Sequence, residues 1–130
     1  MRMLSQQEES EDVEVTWDDQ QRICTFSKLN TRQRGFEERL AELKQEKEAL
    51  DDLSMELELA DEDEPVLYRV GEAFVQLPLS RAQKRLERDM EAIDKEVSEV
   101  NESMDECDKG MKELKLVLYG KFGSAINLEE

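Results

Sequence analysis

A mainly α fold, a long antiparallel two-helix coiled coil bent at a single β-hairpin, is what the 130-residue sequence predicts. Three observations carry this reading. Leucine or phenylalanine recurs at every seventh residue from Leu29 to Leu57. An alternation of four- and three-residue apolar spacings runs unbroken from Leu86 to Leu118. Between them lies VLYRVGEAFVQLP, Val66 to Pro78, with Gly71-Glu72 dividing two short runs of strand-forming residues.

Residues 1–12 are polar and acidic and read as a disordered leader, so one domain is expected over residues 13–130. Val13-Glu14-Val15 forms an extended lead-in. Thr16 is the predicted N-cap, and Asp18 and Asp19 lie where the helix dipole favours negative charge. The first helix is expected over about 17–60. Its d positions are Leu29, Phe36, Leu43, Leu50 and Leu57, and its a positions are Phe26, Gln33, Leu40, Lys47 and Ser54. The apolar d series carries the assignment, because three of the five a residues are polar. Gly35 weakens this helix by up to about 1 kcal/mol relative to alanine. Asp61-Glu62-Asp63-Glu64 and then Pro65 end it.

The hairpin is predicted over residues 66–77. Gly71 supplies the positive φ that the first position of a two-residue turn requires. Val66 then opposes Leu77, Tyr68 opposes Val75, and Val70 opposes Ala73, with all six side chains on one face. Leu67, Arg69, Phe74 and Gln76 take the other, mixed face. An isolated two-stranded hairpin is marginal in water and leaves both edges open. It reads as a part completed by other chains.

The second helix is expected over about 81–122. Ser80-Arg81-Ala82-Gln83 matches a capping box, in which serine and glutamine satisfy free backbone N–H groups. Its seam is Leu86, Met90, Ile93, Val97, Val100, Met104, Cys107, Met111, Leu114 and Leu118. Gly110 is a weak point, and Gly120 and Gly123 around Lys121 mark the stop. Residues 123–130 form an apolar tail too short for a core of its own. If the chain doubles back at the hairpin, Phe26 faces Leu114, Leu29 faces Met111, Phe36 faces Met104, Leu40 faces Val100, Leu43 faces Val97 and Leu50 faces Met90. The same register sets Lys47 against Ile93, Ser54 against Leu86 and Gln33 against Cys107. Flanking charges do not specify this pairing: Lys44 attracts Asp94, whereas Glu46 meets Glu96 and Asp51 meets Glu87. Exposed pairs contribute ~0–1 kcal/mol and each buried aliphatic ~1.5–3 kcal/mol, so the apolar seam decides.

Charged residues make up 40% of the chain and the formal net charge is −16, which repels phosphate backbones and argues against nucleic-acid binding. The longest strongly apolar run, Leu116-Val117-Leu118-Tyr119, is far short of a membrane span, and no signal peptide is expected in MRMLSQQEESED, which lacks a long apolar run and turns acidic at once. With no histidine, no metal-ligand spacing and no glycine-rich phosphate loop, neither an enzyme nor a cofactor is expected. Cys24, on an outward f position, and Cys107, in the seam, do not make a disulfide framework, which fits a reducing compartment, the cytosol. Lys47 and Ser54 read as register-fixing seam residues, with Lys47 snorkelling outward, and Met90, Met104 and Met111 as core. Trp17, Ile23 and Phe26 meet Leu116, Val117, Leu118, Tyr119 and Phe122, with Ile126 and Leu128 beyond. More apolar surface gathers there than one seam covers. Ends stapled shut by aromatic packing and an apolar tip that grips a partner account for it equally.

Three segments resemble the β-type subunits of prefoldin: EDVEVTWDDQQRICTFSKLNTR at the start, the hairpin with Tyr68, Val70-Gly71 and Phe74-Val75, and LYGKFGSAINLE at the end. The resemblance covers roughly residues 11–130. It implies one subunit of a hexamer of two α-type and four β-type subunits, whose hairpins build paired β-barrels from which six coiled coils hang. The tips would hold unfolded chains, nascent actin and tubulin among them, and pass them to the cytosolic chaperonin without ATP. By position, Val66, Tyr68, Val70, Phe74, Val75 and Leu77 would join an intersubunit β-barrel. Trp17, Ile23, Phe26, Leu118, Tyr119, Phe122, Ile126 and Leu128 would form the client-holding tip. The location implied is cytoplasmic, with a nuclear role left open. The rival expectation is a structural coiled-coil adaptor that bridges other proteins without holding clients.

Overall fold

The computed structural model describes residues 14–128, so the acidic leader of residues 1–12 and Val13 lie outside the described residues. Helix α1 spans Trp17–Glu58, strands β1 and β2 span Val66–Val70 and Ala73–Leu77, and helix α2 spans Leu79–Phe122. A 3-10 turn, Gly123–Ala125, follows α2. The chain separates into two compact units. One combines the residues before Arg39 with those after Val100, and the other is Arg39–Val100.

α1 opens with a reciprocal cap. The Asp19 N–H donates to Thr16 Oγ1 at 3.2 Å, and the Thr16 N–H donates to Asp19 Oδ2 at 3.1 Å. Two amide hydrogens with no helical acceptor are thereby satisfied. The helix ends at Glu58, two residues short of the expected 60, before a turn and Pro65. α2 starts two residues earlier than expected. The Pro78 carbonyl accepts from the Arg81 and Ala82 N–H groups at 3.0 Å, so Ser80 lies within the first turn rather than at its cap. A proline suits this place because its fixed φ is compatible with the start of a helix and nothing is required of its missing N–H.

The seam residues fall as the heptads predict. All five d residues of α1 and all ten seam residues of α2 are buried or half-buried, with Leu43, Leu57, Leu86, Val100, Cys107 and Leu118 the most enclosed. Lys47 stays exposed and its Nζ reaches Asp94 Oδ1 at 2.8 Å, replacing the expected partner Lys44. The expected repulsion between Glu46 and Glu96 is relieved by Arg39. Its guanidinium lies 2.6 Å from Glu96, 3.0 Å from Glu42 and 4.0 Å from Glu46.

Of the two glycines expected to weaken the helices, only Gly35 is open on its outer side; Gly110 is a packing device. A Cβ built at Gly110 would stand 3.1 Å from Leu29 Cδ1, whereas one at Gly35 would meet nothing within 4 Å. Gly35→Ala is therefore expected to raise stability by about 0.5–1 kcal/mol. Gly110→Ala should gain clearly less, because the same propensity term is opposed by the Leu29 contact. Thermal melts of both variants decide it, and equal gains would remove the packing role.

Candidate functional site

Two surfaces hold the residues singled out in the sequence, one in each unit. In the Arg39–Val100 unit the hairpin pairs antiparallel in the predicted register: Val66 with Leu77, Leu67 with Gln76, Tyr68 with Val75, Arg69 with Phe74, and Val70 with Ala73. Gly71 takes φ 63° at the turn, a backbone region that side-chain-bearing residues rarely adopt. The hairpin is a two-stranded sheet, so both outer edges keep unpaired ladder groups.

The face carrying Tyr68 is not the open apolar face that an isolated hairpin would present. Tyr68 is only 2% exposed and packs in a cluster with Leu57, Leu79, Ala82 and Leu86, joined by half-buried Val66 and Leu77. Its hydroxyl donates to Asp89 Oδ2 at 2.7 Å. Arg85 Nε lies 3.3 Å from Asp89 Oδ1, near enough for attraction but out of line for a hydrogen bond. Burial first, and then the Asp89 carboxylate that accepts its proton, raise the Tyr68 phenol well above its ordinary value. The Tyr68 side chain is thus covered by its own helices. The physical reason is that the helices supply the apolar cover an isolated hairpin lacks. Val70, next to the turn, and Val75, opposite Tyr68, stay exposed, and so do Leu67 and Phe74 on the other face, Phe74 at 63%. Of the six residues placed at the joint, Val70, Phe74 and Val75 face solvent. Leu67 was not among the six.

In the other unit the apolar end is closed rather than open. Phe26, Leu118, Phe122, Ile126 and Leu128 form one buried cluster, against which Val15, Ile23, Met111, Leu114, Tyr119 and Ala125 pack. Gly123, at φ 58°, ends α2 and turns the chain back, while Gly120 stays helical. The segment beyond Gly123 joins this core instead of lying loose. The Leu128 N–H donates to Tyr119 Oη at 3.0 Å, and Lys115 and Lys121 lie 5.9 and 5.6 Å from the centroids of the Phe26 and Phe122 rings. Burying Ile126 and Leu128 contributes about 3–6 kcal/mol, of the same order as the roughly 1–2 kcal/mol per residue needed to order the backbone after Gly123.

Five of the eight residues assigned by resemblance to the client-holding tip are core in this structure, the stapled arrangement of the two that the residues allowed, because the tail and both helix ends cover one another. Ile23 and Tyr119 are half-buried, and Trp17 remains out at 71% exposure. Among the described residues of this unit, the large apolar side chains left in solvent beside Trp17 are Leu116 and Val117, both off the seam. A shallow groove lined by Lys112, Lys115, Leu116, Tyr119 and Gly120 adjoins Leu116.

Asp19 is the residue that sequence reasoning under-read. Its position in the sequence marks a favourable charge at a helix start, yet it is 1% exposed and binds the Lys121 ammonium as well as Arg22 at 3.0 Å and the Thr16 cap. The seam register pairs positions 19 and 121, so the signal was present. The hydrogen bond from Lys121, with Thr16 assisting and burial opposing, lowers the Asp19 carboxyl to about 2. A carboxyl depressed in the folded state stabilises above its unfolded value, and that stabilisation is lost as pH falls through the folded value. Asp19→Asn should cost about 1–3 kcal/mol at neutral pH. Urea titrations should show the gap between wild type and variant complete above pH 3.8 and shrinking towards about 2. A gap that stays constant across that range would refute the buried ion pair.

Comparison with known proteins places this architecture. The family model described as "Prefoldin subunit" matches residues 20–125. The chain is similar to prefoldin subunit 4 of Saccharomyces cerevisiae, at 41% identity over 99% of each chain. It is similar to a probable prefoldin subunit 4 of Drosophila melanogaster at 37% identity, over 92% of this chain and 86% of that one. It is also similar to prefoldin subunit 4 of Homo sapiens at 31%, over 92% and 90%. The matched span takes in both helices nearly whole and the hairpin between them, and on that extent the chain belongs to the prefoldin subunit family.

Proposed function

We propose that this chain is a non-enzymatic subunit of a hetero-oligomeric holding chaperone, joined to sister subunits through its hairpin. Family membership supports the chaperone-related role. The observation that carries the joint is the hairpin's state: a two-stranded sheet with free edges and with Leu67, Val70, Phe74 and Val75 exposed, although Tyr68 holds it firmly to its own helices. A rigid, anchored sheet edge is suited to strand addition by neighbours, because its own ordering cost is already met. The assembly is the hexamer of α- and β-type subunits that the family resemblance implies, working in the cytosol.

Unfolded or nascent chains, actin and tubulin among them, are held by apolar contact and handed to the cytosolic chaperonin without ATP. Trp17, Leu116 and Val117 are the side chains we assign to first contact, since their burial would be gained on binding and is not already spent on the fold. The strong negative charge keeps such an adhesive surface soluble.

Leu67→Ser with Phe74→Ser alters side chains that do little for their own chain, so helical content should persist while native mass spectrometry shows loss of the complex with sister subunits. Retention of a full complex would remove the hairpin as the joint. Separately, Trp17→Ser, Leu116→Ser and Val117→Ser combined should leave melting within about 0.5 kcal/mol of wild type, as exposed changes do, and cut suppression of unfolded actin aggregation several-fold. Undiminished suppression would instead favour the adaptor reading.

A further inference from the structure

We propose that the chain's own residues 125–128 act as a placeholder in the groove walled by Phe26, Leu118 and Phe122, and that an extended segment with apolar side chains at alternate positions displaces them. The inference rests on the client-holding reading and names the kind of segment held.

The occupant describes the ligand. Ile126 has extended backbone, φ −130° and ψ 143°. Ile126 and Leu128 point into the cluster while Asn127 between them is exposed, the two-residue period of a strand. An anchoring polar contact, from the Leu128 N–H to Tyr119 Oη, is made by main chain, so any residue but proline could supply it. Alternate apolar side chains and a backbone N–H are features that unfolded chains present in many places and that involve little sequence choice. The segment leaves at a glycine, Gly123 at φ 58°, beyond the last residue of α2, so its departure unwinds the 3-10 turn Gly123–Ala125. Its departure would bare Phe26, Leu118 and Phe122, whereas the Thr16–Asp19–Lys121 network ties the two helix ends together independently of the tail. Trp17, Leu116 and Val117 would make the first contact and this groove the tighter second one.

The test uses the full chain assembled with its partner subunits and a fluorescein-labelled peptide copying residues 122–128, Phe-Gly-Ser-Ala-Ile-Asn-Leu. A control peptide carries asparagine in place of the isoleucine and leucine. Ile126→Asn with Leu128→Asn in the protein should empty the groove, and fluorescence anisotropy should then show at least about tenfold tighter peptide binding than wild type, since no internal competitor must be displaced. The control peptide should bind neither protein. No binding by a variant that still melts cooperatively overturns the proposal. Should the variant fail to fold, wild type decides: hydrogen exchange at the Leu128 amide should accelerate several-fold with millimolar peptide, and an unchanged rate overturns the proposal. Aggregation suppression measured alongside separates the two readings. Peptide binding without suppression keeps the groove and removes the holding function. Suppression with no peptide bound by the folded variant removes the groove and keeps the holding function.

Discussion

Two helices make a seam but not a core. A residue at an a or d position of a two-stranded coiled coil has a neighbour across the interface and water on both flanks, which is why most seam residues here are half-buried. A single seam residue such as Leu43 can be enclosed by the two helices alone, but a cluster of large buried side chains forms only where a third element covers the seam. In the Arg39–Val100 unit that element is the hairpin, whose Tyr68 closes over Leu57, Leu79 and Leu86. In the other unit it is the segment after Gly123, whose Ile126 and Leu128 close over Phe26, Leu118 and Phe122. The pieces that complete each core are short, and their attachment governs what surface the molecule offers to others.

How much of this could be read from residues alone follows from the same constraint. Seam and hairpin register were legible because each has a fixed period, 3.5 or 2, and because Gly71 fixes where the chain turns. The helix starts were half legible. Thr16 and Asp19 cap α1 through local side-chain chemistry, whereas α2 ignores the serine box and starts from Pro78. What a period cannot reveal is which face a third element covers. Neither the cover over the hairpin's apolar side nor the choice between a stapled and an adhesive tail is legible, because packing between segments far apart in sequence leaves no periodic trace. Leu116 and Val117 were recognisable as misfits, since they depart from a seam that is otherwise unbroken.

Charge plays two roles that depend on burial. Along the seam flanks, Arg39 gathers Glu42, Glu46 and Glu96, and Lys47 takes Asp94, all on exposed side chains that water screens. Such contacts relieve repulsion among the acids without choosing the pairing. Asp19 differs because it is enclosed: removing its cation would strand a buried carboxylate, so this pair ties α1 to the end of α2 more firmly than any surface pair.

Energetics also connect the proposed joint with the proposed holding surface. Trp17, Leu116 and Val117, even if wholly covered by a client, would yield on the order of 5–10 kcal/mol in gross burial. Bringing two molecules together costs roughly 4–15 kcal/mol in lost freedom, before any ordering of the client is counted. One copy of this chain is therefore near break-even as a holder of unfolded protein. Several arms on one body change the balance, because after the first contact each further contact is intramolecular and its cost of association has already been met. On the holding reading, the free sheet edges and exposed Leu67 and Phe74 are not a separate function from the adhesive side chains. A surface this weak can retain a client only when a joint makes it one of several.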